Sequence, residues 1–193
     1  MLIGEVQPLA EQADLAVFSR TVRDQIDFVY PDAEHCTPQE PYGCYANIDR
    51  TRASGVELEF RRAFSPRWRA TGNASLLRTR NESPGLEGLR LPHTPGVLAS
   101  LDSDYDVSGR LNLGLGLRYA GESYDNVANT RRLKAYGLAD LRLNYEVGPR
   151  LSLFARLENL TGARYETAGG YGQTGRRLWL GIHTRLFNLR PGA

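Results

Sequence analysis

The sequence predicts an all-β protein, an antiparallel up-and-down transmembrane β-barrel portion of about eight long strands. Three observations predict it. Apolar and polar residues alternate strictly over long stretches. Short turns and long loops alternate without exception along the chain. No stretch approaches the run of about 18 apolar residues that a transmembrane helix needs, and the mean hydropathy is −0.43 with a net charge of +2. That hydropathy is compatible with a membrane barrel, whose strands are polar at every second residue. Twenty Gly and ten Tyr fit β structure better than helix.

The elements follow in order. A first strand is expected from Ala13 to Phe28, with a phase slip near Ser19 to Arg23 that predicts a bulge. In the second, Val56, Leu58 and Phe60 oppose Glu57, Glu59 and Arg61. In the third, Trp68, Ala70, Gly72, Ala74 and Leu76 oppose Arg69, Thr71, Asn73 and Ser75. In the fourth, Val97, Ala99, Leu101 and Tyr105 oppose Ser100, Asp102, Asp104 and Asp106. The clearest is the fifth, with Leu111, Leu113, Leu115, Leu117 and Tyr119 on one face and Asn112, Gly114, Gly116 and Arg118 on the other. Leu141, Leu143, Tyr145 and Val147 then alternate with Arg142, Asn144 and Glu146. Leu151, Leu153, Ala155 and Leu157 alternate with Ser152, Phe154, Arg156 and Glu158, and a last strand is expected from Arg176 to Phe187. Period two on this scale means strands with one apolar face.

The connections add the topology. Phe64-Ser65-Pro66-Arg67, Val107-Ser108-Gly109-Arg110 and Val147-Gly148-Pro149-Arg150 are short, carry Gly or Pro and end in Arg. Long connections are expected from Tyr30 to Asn47, Arg80 to Pro95, Glu122 to Lys134 and Ala163 to Thr174. Short turns on one side and long loops on the other are the pattern of an up-and-down barrel, with both chain ends on the short-turn, periplasmic side.

A soluble β-sandwich also alternates. The predicted strands run about 11–16 residues, however, against a mode of about 5–6 in soluble sheets. Trp68, Tyr105, Tyr119, Tyr145 and Phe187 fall near strand ends, where membrane aromatic girdles lie. In a bilayer every backbone N–H and C=O must be paired, so a spanning sheet has to close. Asp140, Arg142, Glu146, Arg156 and Glu158 all fall on the face predicted to line the lumen. A lipid-facing Arg at mid-depth costs about 2–4 kcal/mol, so these residues predict a wet or plugged interior.

Other chemistry is sparse. Cations are almost all Arg, Lys134 being an exception, and no cluster of them suggests nucleic-acid binding. Cys36 and Cys44 are the only cysteines, in a Pro-rich stretch with His35 nearby. A disulfide pinning one loop in an oxidising compartment is expected, the alternative being two unpaired thiols. His35, His93 and His183 are scattered, and Gly169-Gly170-Tyr171-Gly172 precedes no helix, so neither a catalytic nor a phosphate-binding motif is expected. Ligand contacts should lie on the long loops. Tyr124, Asp125, Asn126, Asn129, Arg131 and Arg132 form one candidate set, and Tyr165, Tyr171 and Gln173 another; plain solvated loop is the competing reading of each. Met1-Leu2-Ile3-Gly4-Glu5 lacks the basic and apolar regions of a secretion signal, so either a fragment of a longer precursor or a missing true N-terminus is expected.

Three segments carry a family resemblance. Asn47-Ile48-Asp49-Arg50-Thr51-Arg52-Ala53-Ser54-Gly55-Val56-Glu57-Leu58-Glu59 is similar to an N-x-x-x-x-x-x-x-G-x-E-x-E strand. Leu157-Glu158-Asn159-Leu160-Thr161-Gly162-Ala163-Arg164-Tyr165 resembles an N-L-hydrophobic-D-x-x-Y element, with Thr161-Gly162 where Phe-Asp is more usual. Gly170-Tyr171 and Gly175-Arg176 then precede a terminal strand. In this order they resemble the TonB-dependent outer-membrane receptors, which take up iron–siderophores, haem and vitamin B12.

The resemblance implies a barrel of about 22 strands with an N-terminal plug. About eight strands, no plug and no TonB-contacting box are visible here, so residues 1–193 look like the C-terminal part of such a barrel, an open curved sheet when isolated. The implied partners are outer-membrane lipid, the remainder of the barrel and plug, the TonB–ExbB–ExbD system through that plug, and the barrel-assembly machinery, with Phe187 as the assembly signal. Arg185 and the tail Asn188-Leu189-Arg190-Pro191-Gly192-Ala193 depart from the family's usual ending. No cofactor is implied and an enzyme is not expected. The competing reading is a complete eight-stranded barrel serving as an anchor or adhesin. Pairing of the first strand with the last would favour that reading, whereas an open sheet would favour the receptor portion.

Overall fold

The computed structural model describes residues 11–29 and 36–184. The strands are β1 (Glu11–Val29), β2 (Cys44–Ser65), β3 (Trp68–Asn81), β4 (Val97–Ser108), β5 (Leu111–Ala120), β6 (Ser123–Tyr124), β7 (Arg132–Leu133), β8 (Tyr136–Gly148), β9 (Leu151–Glu158), β10 (Glu166–Ala168), β11 (Tyr171–Gly172) and β12 (Arg177–Thr184). Eight of them form one antiparallel sheet in the order β1-β2-β3-β4-β5-β8-β9-β12. The pairs β6–β7 and β10–β11 are separate small hairpins inside long loops. Among the described residues β1 pairs only with β2 and β12 only with β9, so the sheet is open. Phe187, His35 and the chain termini lie outside the described residues.

This is a single layer. Its accessible surface is 14440 Å², against about 9,200 Å² for a compact monomer of this mass. Buried apolar residues among those described are only Cys44, Ala70, Ala120 and Leu133. A soluble sandwich would bury one face of each of two sheets, and among the described residues there is no second sheet of that size.

Residues opposite one another across a ladder share a face, so register gives the two surfaces. The outward surface runs Ala13–Phe60–Gly72–Leu101–Leu117–Ala139 in one row. Another row runs Trp68–Tyr105–Leu113–Leu143–Ala155–Leu180. Leu15, Leu117 and Leu180 on this face are 69%, 39% and 74% exposed, a patch wide enough to mark a membrane or protein contact. Trp68 and Tyr105 sit at the short-turn end, as an aromatic girdle would. Ser103 is polar on this face, but its Oγ accepts the Trp68 indole N–H at 2.9 Å.

The three short turns share one construction. Each ends β2, β4 or β8 with a register shift, between Ala63 and Ser65, Asp106 and Ser108, and Glu146 and Gly148. In the first two a Ser hydroxyl accepts the N–H of the turn Arg, Arg67 or Arg110. The carbonyls of those two Arg accept N–H bonds from Asp106 and Glu146, which locks each turn to the next one along the sheet.

The bulge expected near Ser19 to Arg23 is absent. One register runs from Glu11↔Arg62 to Val29↔Cys44, and only Asp24 departs, with φ +55°. The apolar phase of β1 changes because the strand leaves the membrane: outward residues are apolar through Val17, and Ser19, Thr21 and Arg23 follow on the same face. β2 likewise begins at Cys44, earlier than expected, so β1 and β2 extend well past the roughly 9–11 residues of a spanning strand.

Candidate functional site

The inner surface carries the charge. Asp140 on β8 is 6% exposed. It pairs with Arg118 of β5, lies 3.9 Å from the Arg156 guanidinium of β9, and accepts the Asn159 backbone N–H at 2.9 Å. Glu158 bridges Arg156 at 3.0 Å and Arg177 of β12 at 2.9 Å, and also accepts the Trp179 indole N–H. Arg142 reaches Asp102 at 3.2 Å and Asp104 at 3.5 Å on β4. These groups tie β4, β5, β8, β9 and β12 together side chain to side chain.

Glycine makes room for them. A Cβ at Gly114 would lie 2.7 Å from Arg142 Nε and 2.9 Å from Asp104 Oδ1, and one at Gly116 would lie 3.3 Å from Asp102 Oδ1. The Leu-Gly-Leu-Gly rhythm of β5 is therefore apolar outward and empty inward, where long charged side chains of the neighbouring strands lie across it. A cavity of about 480 Å³ opens beside this network, lined in part by Arg118, Tyr136, Asp140, Glu158, Asn159 and Arg177.

The Asn159-Leu160-Thr161-Gly162 segment is a structural corner. Asn159 and Gly162 have φ of +52° and +66°. The Asn159 side chain accepts from the Ala163 N–H and donates to the Ala163 carbonyl, both at 2.9 Å. Leu160 N–H donates to the Ala139 carbonyl on β8, and Arg176 Nε donates to the Leu160 carbonyl. Asparagine suits a left-handed position and supplies both a donor and an acceptor, which explains the residue type there.

The long loops interlock. Asp125, 8% exposed, accepts the Gly169 N–H at 2.8 Å and lies 3.6 Å from Arg131 Nε and 3.8 Å from His93 Nε2. His93 Nδ1 lies 3.3 Å from the Thr167 carbonyl oxygen, and His93 N–H donates to the Tyr124 carbonyl. Asn129 exchanges bonds with the backbone of Arg90 at 2.8 and 2.9 Å. Three loops, 82–96, 121–135 and 159–176, thus meet around Asp125, His93 and Asn129.

The expected loop residues are placed as follows. Asn126 caps its own turn by accepting from Thr130 and Arg131 N–H. Arg132 pairs with Glu122, and Tyr124 lies under the Arg90 guanidinium, 5.5 Å from its ring centre. Tyr165 stacks on Tyr136 at 4.1 Å. Gln173 donates to Thr167. Tyr171, 73% exposed, projects from the β10–β11 hairpin. Sequence reasoning missed His93 and Glu122 as loop-tying groups, because their partners lie far along the chain. Cys36 and Cys44 are joined in a disulfide with Cα atoms 5.6 Å apart. Within that loop Thr37 N–H and Oγ1 donate to the Glu40 carboxylate and hold its pKa below the usual value. Among the described residues no group of three or more His, Cys, Asp or Glu could hold a metal ion.

Comparison with known proteins agrees with this architecture. The probable TonB-dependent siderophore receptor PiuA of Acinetobacter baumannii is 26% identical over 136 residues, 64% of this chain and 18% of that protein. The pesticin receptor of Yersinia enterocolitica is 28% identical over 152 residues, 73% of this chain and 23% of that receptor. The crystal structure of PiuA superposes with a TM-score of 0.74 at 23% identity, covering 90% of this chain and 26% of that one. The copper transporter OprC superposes with a TM-score of 0.71 at 20% identity, over 90% of this chain and 28% of that one. This chain therefore spans about a fifth to a quarter of the relatives it matches. Residues 7–160 match the family described as TonB dependent receptor-like, beta-barrel. An open membrane sheet, a charged inner face and that match agree, and the chain belongs to the TonB-dependent receptor β-barrel family of the bacterial outer membrane.

Proposed function

We propose that this chain supplies the C-terminal strands of a receptor that takes up a metal chelate such as an iron–siderophore, haem or vitamin B12, and that it does not transport alone. The observation that carries this reading is the open sheet: β1 and β12 each keep an unpaired edge among the described residues, and a spanning sheet with open edges needs further strands. The partners are then the remaining strands and plug, the TonB–ExbB–ExbD system through the plug, and the assembly machinery acting at Phe187. The family is one of receptors, not enzymes. Similarity to two receptors, one of them for siderophores, supports the metal-chelate class.

In this reading the inner charges face the plug or the substrate path. The two candidate loops meet the ligand from outside. Tyr171 is the most accessible contact, and Asp125, Asn126 and Arg131 hold the loops that present it, with Tyr124, Arg132, Tyr165 and Gln173 flanking.

The chain expressed alone in outer membranes is expected to give no heat-modifiable band on SDS gels and no uptake of radiolabelled iron chelate. Co-expressed with a plug and the missing strands, it is expected to support uptake that stops when the proton-motive force is collapsed. A fast-migrating band from the chain alone, with Leu15→Cys cross-linking to Leu180→Cys, would establish the complete eight-stranded barrel instead.

A further inference from the structure

Asp125 and Asp140 are the two buried carboxylates among the described residues. Asp140 belongs to the inner charge network, but Asp125 stands in a loop, where a carboxylate can ordinarily stay in water. Withdrawing it from water is costly unless several partners hold it. Its partners come from three loops: Arg131 of its own loop, His93 of 82–96, and the Gly169 N–H of 159–176. The Asp125 N–H donates to the Arg131 carbonyl at 2.9 Å, and the Asn126 side chain accepts from the N–H groups of Thr130 and Arg131. The turn that carries the carboxylate is therefore closed on itself.

Gly169 shows how closely the third loop fits. Its φ lies outside the left-handed region, so its conformation does not require glycine. The space around it does: a Cβ would lie 2.2 Å from Arg131 Cζ and 2.4 Å from Asp125 Oδ2. Arg131 is half exposed and can swing aside. Asp125 cannot, because its other oxygen accepts the Gly169 N–H, and the carboxylate would lose that bond by leaving. Gly170, next in the chain, has φ +86° and serves the hairpin turn instead. The 82–96 loop is fastened to both of the others. Asn129 bonds the N–H and carbonyl of Arg90, and His93 meets the Tyr124 carbonyl through its N–H and lies beside Thr167 through its ring.

We infer that the seating of Gly169 against the Asp125–Arg131 pair joins loops 82–96, 121–135 and 159–176 into one body, with Asp125 as the positioning residue for Tyr171 in the third loop. A ligand that meets Tyr171 then finds three loops already ordered and is spared the cost of ordering them. Displacement of one loop carries the other two. Only the role of Tyr171 as a ligand contact rests on the receptor reading; the coupling is a property of the unliganded protein.

The test uses the whole protein that carries this chain, in detergent micelles and without ligand. Hydrogen exchange is followed by mass spectrometry in peptides from 82–96 and 121–135. Gly169→Ala is expected to speed exchange in both at least about tenfold, the scale of one lost charge-assisted hydrogen bond, although the altered residue lies in neither. Asp125→Ala should do the same, and the double variant should exchange no faster than Asp125→Ala alone, because both changes remove one contact. Gly172→Ala, whose Cβ meets nothing within 4 Å, should leave exchange in those two loops unchanged. Nitroxides at Glu87→Cys and Tyr171→Cys should report one narrow distance, and a broad distribution once Gly169→Ala is added. The nitroxide pair stands on Gly169→Ala alone and decides the case if Asp125→Ala fails to fold, which its heat-modifiable mobility reports. Acceleration confined to 159–176, multiplicative effects in the double variant, or a broad distance distribution before Gly169 is altered would each overturn the inference. Absence of chelate uptake by the assembled receptor would count against the receptor reading and leave these measurements as they are.

Discussion

The two faces of the same eight strands obey different rules. On the outward face Leu117 opposes Leu101 and Ala139, and its partners are interchangeable apolar groups that meet lipid. One residue away, on the inward face, Arg118 meets Asp140, which also holds Asn159 and approaches Arg156. The outer residue type is set by a solvent, and the inner one by particular neighbours. Alternation along a strand therefore separates residues that tolerate apolar exchange from residues that do not.

The largest effect should come from placing an inner-type residue outside. Leu117→Arg puts a charge on the lipid face within the belt and is expected to cost about 2–4 kcal/mol of folding free energy. Asn144→Arg places the same group on the inner face of β8, where Asn112 and Phe154 are its cross-strand neighbours, and should cost under about 1 kcal/mol. Urea-dependent folding of the assembled barrel into vesicles measures both. Equal costs would mean that the two faces meet the same medium.

An intermediate effect is expected from Asp140→Ala. It leaves Arg118 without its carboxylate and the buried Asn159 N–H without an acceptor. A full buried pair broken in this way costs about 3–5 kcal/mol, but both arginines are about half exposed, so about 1–2 kcal/mol is expected after solvent screening. Hydrogen exchange should speed up first at Asn159 and Leu160. A change spread evenly over the sheet would show that the network is not local.

Much of this was legible in the sequence, for a physical reason. Lipid on one face enforces strict alternation, so the strands from Val56 to Leu157 announce both their existence and their sides. The long–short rhythm of connections then gives the antiparallel order. What stayed hidden depends on distant contacts or on a change of solvent. The hairpins β6–β7 and β10–β11 are two or three residues per strand, too short to show a period. Asp125 reads as a loop polar residue until Gly169, 44 positions away, is seen to donate to it. The phase change in β1 reads as a bulge because a sequence does not mark where the bilayer ends; the same change, seen in register, marks that level at Val17 and Leu76. Asn159 was legible as a motif but not as a corner tied to Asp140.

The finest distinction between the faces lies in two glycines beneath large side chains. Gly72 faces outward, and a Cβ there would run into the far edge of the Phe60 ring and come within 3.1 Å of the Ser100 carbonyl. Gly114 faces inward beneath Arg142 and Asp104. Alanine lowers the entropy of the unfolded chain by about 0.4–1 kcal/mol at either site, so the sign depends on what must move. The Phe60 ring can swing into lipid, an apolar medium much like the one it leaves, and Gly72→Ala is expected within about 0.5 kcal/mol of neutral. Arg142 cannot move without lengthening its bridges to Asp102 and Asp104, each worth under about 1 kcal/mol at this exposure. Gly114→Ala should therefore be the more destabilising of the two, by about 0.5–1 kcal/mol. Paired urea titrations decide the order. A costlier Gly72→Ala would mean that the Ser100 backbone, rather than the side chain above the glycine, limits the space, and the outer face would then be packed as specifically as the inner one.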